Sequence, residues 1–296
     1  MRMRTRLAAA LVLLAASLAA RGADTLYATS LRGEAAGGAF VAGNLYTVEP
    51  ATAAAKLIGP IRLGETAVGI TAVATHPRTG VFYGITAGLS PAVPRSLVTV
   101  DLDSARATLV APISMRGSDL AFAADGTLYM WAPEAKRLVK VDPENGQIEP
   151  LGPSGIEAGP SGGLAIDRGG GKAYVAATGA NGTLDAIDLE TGKGTQGPKL
   201  TGAPFAVSID NMTLSPSGTL YAVNSNGGAP SNAALVTIDV ASGAVKKVGA
   251  LPPDTRGLIF APERARPSTW EEARKWILAA LAGVALVLMA VAWRMR

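Results

Sequence analysis

The chain has 296 residues, enough for one large domain or two small ones, and it combines 48% apolar residues with 35 glycines and 19 prolines. It contains no cysteine, which excludes disulfides, thiolate nucleophiles, cysteine-ligated metals and lipoprotein acylation. The net charge of +4 comes from the chain ends, because residues 24–262 hold 17 basic and 20 acidic side chains, and this balance argues against nucleic-acid binding.

The first 23 residues predict a secretory signal peptide. Arg2, Arg4 and Arg6 precede an apolar run over residues 7–20, and small residues follow. The run is shorter than the ~20 residues that cross a bilayer, which favours a signal peptide over an uncleaved anchor. Two cleavage points fit the small-residue rule, one after Ala19 and one after Gly22, and both stay open. The rest of the chain is therefore expected outside the cytoplasm.

Residues 24–262 predict a repeat of four short strands. In residues 118–152, the dipeptides Asp125-Gly126 and Asn145-Gly146 separate apolar runs, as in tight hairpins. A tyrosine recurs in the second strand of each repeat, and the last four copies are 46, 45 and 47 residues apart: Tyr27, Tyr83, Tyr129, Tyr174 and Tyr221. A period of this length is typical of β-propeller blades.

The strand order also predicts how the ring closes. The repeat around Tyr27 has no first strand, and a first strand without a second stands at residues 257–262. Together they complete one blade, built from one C-terminal and three N-terminal strands, and this closure removes open sheet edges. The prediction is an all-β, five-bladed β-propeller.

Two segments carry a resemblance to a known group of proteins. LYTVEPATAAAKLIGPI (residues 45–61) and DLAFAADGTLYMWAPEAKRLVKVDPENGQIEPLG (residues 119–152) resemble the NHL/YVTN-type bacterial β-propellers. The resemblance covers about residues 24–262 and implies a propeller. Members of the group include scaffolds, binding modules and some lactonases and lyases, so the resemblance leaves the activity open.

Residues 276–293 predict a single transmembrane helix. These 18 uncharged residues span ~27 Å as a helix, close to the ~30 Å hydrocarbon core of a bilayer. Trp276 and Trp293 are placed for the two membrane interfaces. With an exported propeller, residues 263–275 become a juxtamembrane linker and residues 294–296 the cytoplasmic end. The protein is then expected to be a single-pass cell-membrane protein.

The tail also resembles the PEP-CTERM sorting signal of exosortase substrates. It has PSTW at residues 267–270, an apolar helix and terminal arginines, but Arg266 replaces the glutamate of the motif and residues 271–275 interrupt the approach to the helix. The resemblance implies removal of the tail and release of the propeller as a surface protein. A retained anchor and a released propeller both stay open.

The connections between strands predict which face binds. Those joining first to second and third to fourth strands are short, whereas the others are long and lie on the opposite face. Long loops on a rigid scaffold usually carry binding. The chain leaves the propeller on the short-turn face, so the long-loop face is expected to point away from the membrane.

Four residues form the predicted ligand-binding site: Asp119, Asp210, Asn211 and Arg256. They stand where inner strands enter the central channel from the long-loop face. Mixed charge there suits a small polar ligand or an ion, while capping of the strand ends is the simpler structural interpretation.

Other polar residues are interpreted as structural. His76 is the only histidine and lies in a turn of the short-turn face, away from the serines and threonines of the opposite face, which argues against a serine triad. Five carboxylates precede tight turns, where they bond their own backbone: Glu49, Asp101, Asp142, Asp188 and Asp239. No catalytic residue, metal ligand or cofactor is predicted.

The sequence therefore favours an exported, membrane-anchored propeller that binds an unknown envelope protein or a small polar ligand, or acts as a scaffold. The alternative is a hydrolase or lyase of lactonase type, with Asp119, Asp210 and Asn211 around a divalent cation at the channel mouth. Gly163 and Gly257 at the matching positions leave few ligands for such an ion.

Overall fold

The computed structural model describes residues 25–32, 43–90, 93–157, 159, 161–167, 169, 171–176, 182–228 and 230–261. Within these ranges the chain forms 22 β-strands and no helix, so none of the described segments is a membrane-spanning helix. The predicted signal peptide, linker, transmembrane helix and cytoplasmic end lie outside the described residues.

The strands form five sheets, numbered here as blades I to V. Blade I contains β1 (Thr25–Ser30), β2 (Asn44–Val48), β3 (Ala55–Pro60) and the last strand of the chain, β22 (Thr255–Ala261). Blade II contains β4 (Arg62–Leu63), β5 (Thr66–Ala67), β6 (Ile70–Thr75), β7 (Phe82–Thr86), β8 (Ser96–Val100) and β9 (Arg106–Pro112). Blade III contains β10 (Asp119–Phe122), β11 (Leu128–Ala132), β12 (Arg137–Val141) and β13 (Ile148–Pro150).

Blade IV contains β14 (Leu164–Ile166), β15 (Lys172–Val175), β16 (Asp185–Asp188) and β17 (Gly194–Thr195). Blade V contains β18 (Ser208–Leu214), β19 (Leu220–Ser225), β20 (Ala233–Ile238) and β21 (Val245–Leu251). The inner strands, which line the central channel, are β22, β6, β10, β14 and β18. The predicted all-β, five-bladed propeller is confirmed.

Ring closure follows the predicted strand order. β22 pairs antiparallel with β1, with Leu26 opposite Phe260 and Ala28 opposite Leu258. Leu26 and Leu258 are both buried, so the closing pair is part of the apolar core. One C-terminal and three N-terminal strands therefore complete blade I.

Blade II departs from the four-strand repeat. The hairpin β4–β5 turns at Gly64, which has a φ of 57°, and β4 pairs in parallel with the outer strand β9. The hairpin covers the outer edge of the blade, where an unpaired strand could associate with another chain. Strands of two residues are too short for the alternation that predicts longer ones, and the sequence therefore did not reveal them.

The apolar core lies between neighbouring blades. Trp131 and Leu138 of blade III pack in one cluster with Leu164 and Val175 of blade IV. Because each blade is covered on both faces, the side chains that point to either face of its sheet can be buried. All five residues of β11 are buried. Burial of both faces also explains the high apolar content of the strands.

The residues interpreted as structural occupy turns as predicted. Asp188 accepts hydrogen bonds from the backbone amide and hydroxyl of Thr191, each at 2.7 Å, and Asp239 accepts the same pair from Ser242. The hydroxyl hydrogen bonds, followed by the backbone amides, lower the pKa of both carboxyl groups. His76 Nδ1 accepts from two backbone amides of its own turn, each at 3.2 Å.

Ring closure can be tested by truncating Leu258. Leu258→Ala removes a fully buried side chain from the closing strand, and we expect it to cost about 2–5 kcal/mol and to lower the melting temperature by about 5–15 °C. Leu57→Ala is the matched control, because Leu57 lies on an outer strand and is 54% exposed. Equal melting temperatures for the two variants would contradict the closed ring.

Candidate functional site

Backbone bulges direct side chains into the channel mouth on the long-loop face. Three inner strands each contain an extra residue without a partner opposite: Thr71 in β6, Asp210 in β18 and Arg256 in β22. A bulge interrupts the alternation of a strand and re-aims the extra side chain. Consecutive residues such as Asp210 and Asn211 can therefore both face the channel region, which regular alternation forbids.

The carboxylate of Asp119 lies fully buried at the centre of the ring. Its Oδ1 accepts from the Leu120 amide at 2.7 Å and from the side-chain amide of Asn211. Its Oδ2 accepts from the backbone amides of Leu164 at 2.6 Å and Met212 at 3.0 Å. One side chain of blade III thus holds the inner strands of blades IV and V.

Burial raises the pKa of Asp119 well above its ordinary value, because the charged form loses its hydration. The four hydrogen bonds lower this pKa again in part, with the backbone amide of Leu164 contributing most. All donors to the carboxylate come from the protein itself. Its environment therefore has the character of a structural link between strands.

Asn211 continues this link to blade I. It is also fully buried, and its Oδ1 accepts from the backbone amide of Leu258 at 2.8 Å while its amide nitrogen donates to Asp119. Blade II joins through Thr29, whose hydroxyl donates to the Ile70 carbonyl at 3.3 Å. Hydrogen bonds of buried side chains therefore connect the centre of all five blades.

The glycines at the matching positions leave space for these side chains. A Cβ on Gly163 would lie 2.5 Å from Met212 Cγ and 3.1 Å from Met212 N, which is a donor to Asp119. A Cβ on Gly257 would lie 2.2 Å from Thr29 Oγ1. These positions are glycine because the strands approach each other closely there.

Asp210 and Arg256 form a polar cluster closer to solvent. Their side chains form an ion pair and are 10% and 16% exposed, respectively. Asp210 also accepts from Ser208 at 2.5 Å and from Ser225, and Ser225 accepts from Arg256 at 2.6 Å. Ser161 joins the cluster through a 2.6 Å hydrogen bond to Ser208. Of the four predicted ligand-binding residues, only Asp210 and Arg256 reach the channel mouth.

A cavity of about 460 Å³ opens at the channel mouth. Its lining residues come from strands of blades I, II and V and from the loops that lead into the inner strands of blades III and IV. They include Asp210, Arg256, Thr71 and Ser118, whereas Asp119 and Asn211 are not among them. The other lining residues lie on β7, at the start of β18 and in loops of the long-loop face. The structure therefore separates the predicted site into a buried link, Asp119 and Asn211, and a cavity pair, Asp210 and Arg256.

Two further arginines line the cavity. Arg116, which lies near the predicted site in sequence, pairs at 3.5 Å with Glu134, and their side chains are 39% and 72% exposed. Arg95 is exposed, ends the β7–β8 loop and was missed by the sequence analysis. The only available signal was its place in one of the long loops.

Four other charged residues in the connections between blades or beside them, Arg62, Glu65, Glu157 and Asp254, are not among the lining residues. Asp254 pairs with Arg32 at 3.4 Å and Glu157 with Lys136 at 2.8 Å. Arg62 donates to the carbonyl of Glu65 at 3.2 Å. The two ion pairs join separate loops, and the Arg62 hydrogen bond stabilises its own hairpin.

The hypothesis of a divalent cation requires free oxygen ligands at the channel mouth. In the structure the carboxylate of Asp119 accepts four hydrogen bonds, and that of Asp210 already contacts two hydroxyls and a guanidinium. No group of three or more carboxylate or imidazole side chains within the described ranges could hold a metal ion. The residues named for the cation do not fit one in this arrangement.

Comparison with known proteins supports the fold and no particular activity. The chain matches no family model and no curated protein. It is similar to a chain in the crystal structure of a nidogen/laminin complex, with 12% identity and a TM-score of 0.51, over 80% of this chain and 98% of that one. A structural genomics protein of unknown function from Bacteroides thetaiotaomicron has 15% identity and a TM-score of 0.47, over 67% of this chain and 53% of that one.

The buried link can be tested by Asp119→Ala. The substitution leaves three backbone amides and the Asn211 side chain without their acceptor, and each unsatisfied buried donor costs about 1–3 kcal/mol. We expect a loss of at least ~3 kcal/mol in the free energy of unfolding, measured by denaturant titration. Asp103→Ala, on an exposed turn, should change it by less than ~0.5 kcal/mol. A similar small change for Asp119→Ala would rule out the link.

The cation hypothesis can be tested by thermal melts with Ca²⁺, Mg²⁺, Zn²⁺ or EDTA. An ion at ~100 times its dissociation constant would add ~2.7 kcal/mol to the stability of the folded state. Because the oxygens of Asp119 and Asp210 are engaged within the protein, we expect no change in melting temperature. A rise with one ion that Asp210→Asn abolishes would restore the cation site.

Proposed function

We propose that this chain is an exported, membrane-anchored β-propeller that acts as a binding module at the cell envelope, with the cavity as its binding surface. The observation that carries the proposal is the cavity itself, which lies at the channel mouth between strands of blades I, II and V and the loops that lead into blades III and IV. Concave sites with apolar walls and a few converging polar groups are typical ligand sites.

The direction of the closing strands supports an orientation for this module. β22 runs from Arg256, at the cavity, to Ala261 at the opposite end of the ring, where Ala261 pairs with Thr25. Both ends of the described chain therefore lie on the face opposite to the cavity. A membrane anchor at residues 276–293 would then leave the cavity facing away from the membrane.

Export and anchoring depend on the two ends of the sequence. The basic and apolar segment at residues 1–23 supports export, and the 18 uncharged residues between Trp276 and Trp293 support a single membrane span. Cleavage of the tail, which the PEP-CTERM resemblance implies, would release the same binding module from the membrane. Binding at the cavity is common to both outcomes.

The chemistry of the site favours binding over catalysis. The polar groups at the centre of the ring bond to one another, and the guanidinium of Arg256 is held by Asp210. The similar chain in the nidogen/laminin structure belongs to a complex, in agreement with a binding role for a propeller of this fold. The partner is an envelope protein or a small polar ligand.

Export and orientation can be tested by single-cysteine labelling, because the chain has no cysteine of its own. Leu89→Cys places a thiol on the cavity rim, where Leu89 is 65% exposed, and Glu144→Cys places one on the β12–β13 turn of the opposite face. Met295→Cys marks the predicted cytoplasmic end. In intact cells, a charged maleimide should label the Leu89→Cys variant fastest, the Glu144→Cys variant more slowly and the Met295→Cys variant only after permeabilisation.

The labelling rates of detergent-solubilised protein serve as the control for intrinsic reactivity. If the thiol of Leu89→Cys were protected until the cells are permeabilised, the proposal of export would fail. If Glu144→Cys reacted in intact cells as fast as Leu89→Cys after this correction, the orientation would be wrong.

A further inference from the structure

We infer that the cavity binds a small organic anion, with a carboxylate or phosphate head group and an apolar body. The inference rests on the proposed function, since it names the ligand class of the proposed binding surface. Three properties of the cavity carry it: its charge, its apolar rim and its size.

The charge of the cavity is opposite to that of the propeller as a whole. Residues 24–262 contain more acidic than basic side chains, yet the cavity is lined by three arginines and one aspartate: Arg95, Arg116, Arg256 and Asp210. Concentrating one sign of charge in a concave site raises the local concentration of the opposite ion. The cavity therefore attracts anions although the propeller is net acidic.

The three guanidinium groups differ in how far they are already neutralised. Arg256 is paired with the nearly buried Asp210, and this carboxylate neutralises most of its positive charge. The pair of Arg116 with Glu134 is long and solvent-exposed, and such pairs are weak. Among the described residues, Arg95 has no acidic partner. Arg95 and Arg116 are therefore the groups that would hold an anionic head.

The rim of the cavity is apolar and exposed. Leu89 and Val207 line it and are 65% and 57% exposed, and they are two of the four large hydrophobic side chains exposed in the described ranges. Ile85 adds apolar surface inside. Apolar side chains on the rim of a cavity suit a ligand that has an apolar body.

The size and donor geometry suit one small molecule. A volume of about 460 Å³ lies within the ~300–1,000 Å³ of small-molecule sites. A guanidinium presents paired N–H donors that match the two oxygens of a carboxylate or phosphate.

The test is calorimetric titration of the purified full-length chain in phosphatidylcholine nanodiscs, with empty nanodiscs as blank. The probes share one apolar body and differ in the head group: 1-naphthylacetate, 1-naphthyl phosphate and the neutral 1-naphthylacetamide. Inorganic phosphate tests the head group alone. We expect at least one of the two anions to bind at least tenfold more tightly than the amide, and inorganic phosphate to bind more weakly than naphthyl phosphate.

Variants locate the binding. Arg95→Gln and Arg116→Gln should each weaken binding of the anion several-fold and the double variant at least tenfold. Arg106→Gln, the same charge change on an exposed position of the outer strand β9, should leave it unchanged. Leu89→Glu adds a negative charge on the rim and should also weaken it. Melting temperatures check that each variant is folded, as expected for exposed side chains.

Three results would overturn the inference. They are equal binding of the amide and the anions, no binding of either anion, and an effect of Arg106→Gln as large as that of the cavity variants. The labelling experiment is independent of these results. Failure to bind anions with correct export and orientation would therefore remove the ligand class and leave the binding module.

Discussion

The buried carboxylate of Asp119 is the constraint on which the centre of the ring depends. A charge removed from water is costly unless its oxygens are fully hydrogen-bonded, and here four donors from three consecutive blades supply those bonds. Asn211 passes the link to Leu258 in the closing strand. The hydrogen bonds therefore form only when blades I, III, IV and V have come together in the correct register.

The bulges on the inner strands supply part of the cavity wall. Thr71, Asp210 and Arg256, the bulged residues, line the cavity, whereas Asp119 and Asn211 do not. A bulge allows neighbouring residues to serve different purposes, since the first faces the cavity and the next bonds between blades. On β18, the cavity residue Asp210 and the linking residue Asn211 are therefore direct neighbours in the chain.

Charged side chains serve different purposes at the turns and at the cavity. The turn carboxylates, such as Asp188 and Asp239, lie on the face opposite to the cavity, where they accept hydrogen bonds from backbone amides of their own turns. Arg116, whose acidic partner is exposed, and Arg95 line the cavity. A chain whose propeller is net acidic can therefore still present a cationic site, because the position of charges decides binding where their sum does not.

The sequence by itself determined the number of blades, the strand order and the closing strand, because turn dipeptides and alternation act locally and repeat with a regular period. It also predicted that Asp119, Asp210, Asn211 and Arg256 stand where the inner strands begin. Only the tertiary structure decided that Asp119 and Asn211 face other strands while Asp210 and Arg256 face the cavity, and that Arg95 joins them. The first reason is that a bulge shifts the alternation of a strand by one residue. The second is that a contact between residues 92 positions apart, such as Asp119 with Asn211, produces no local sequence pattern from which it could be predicted.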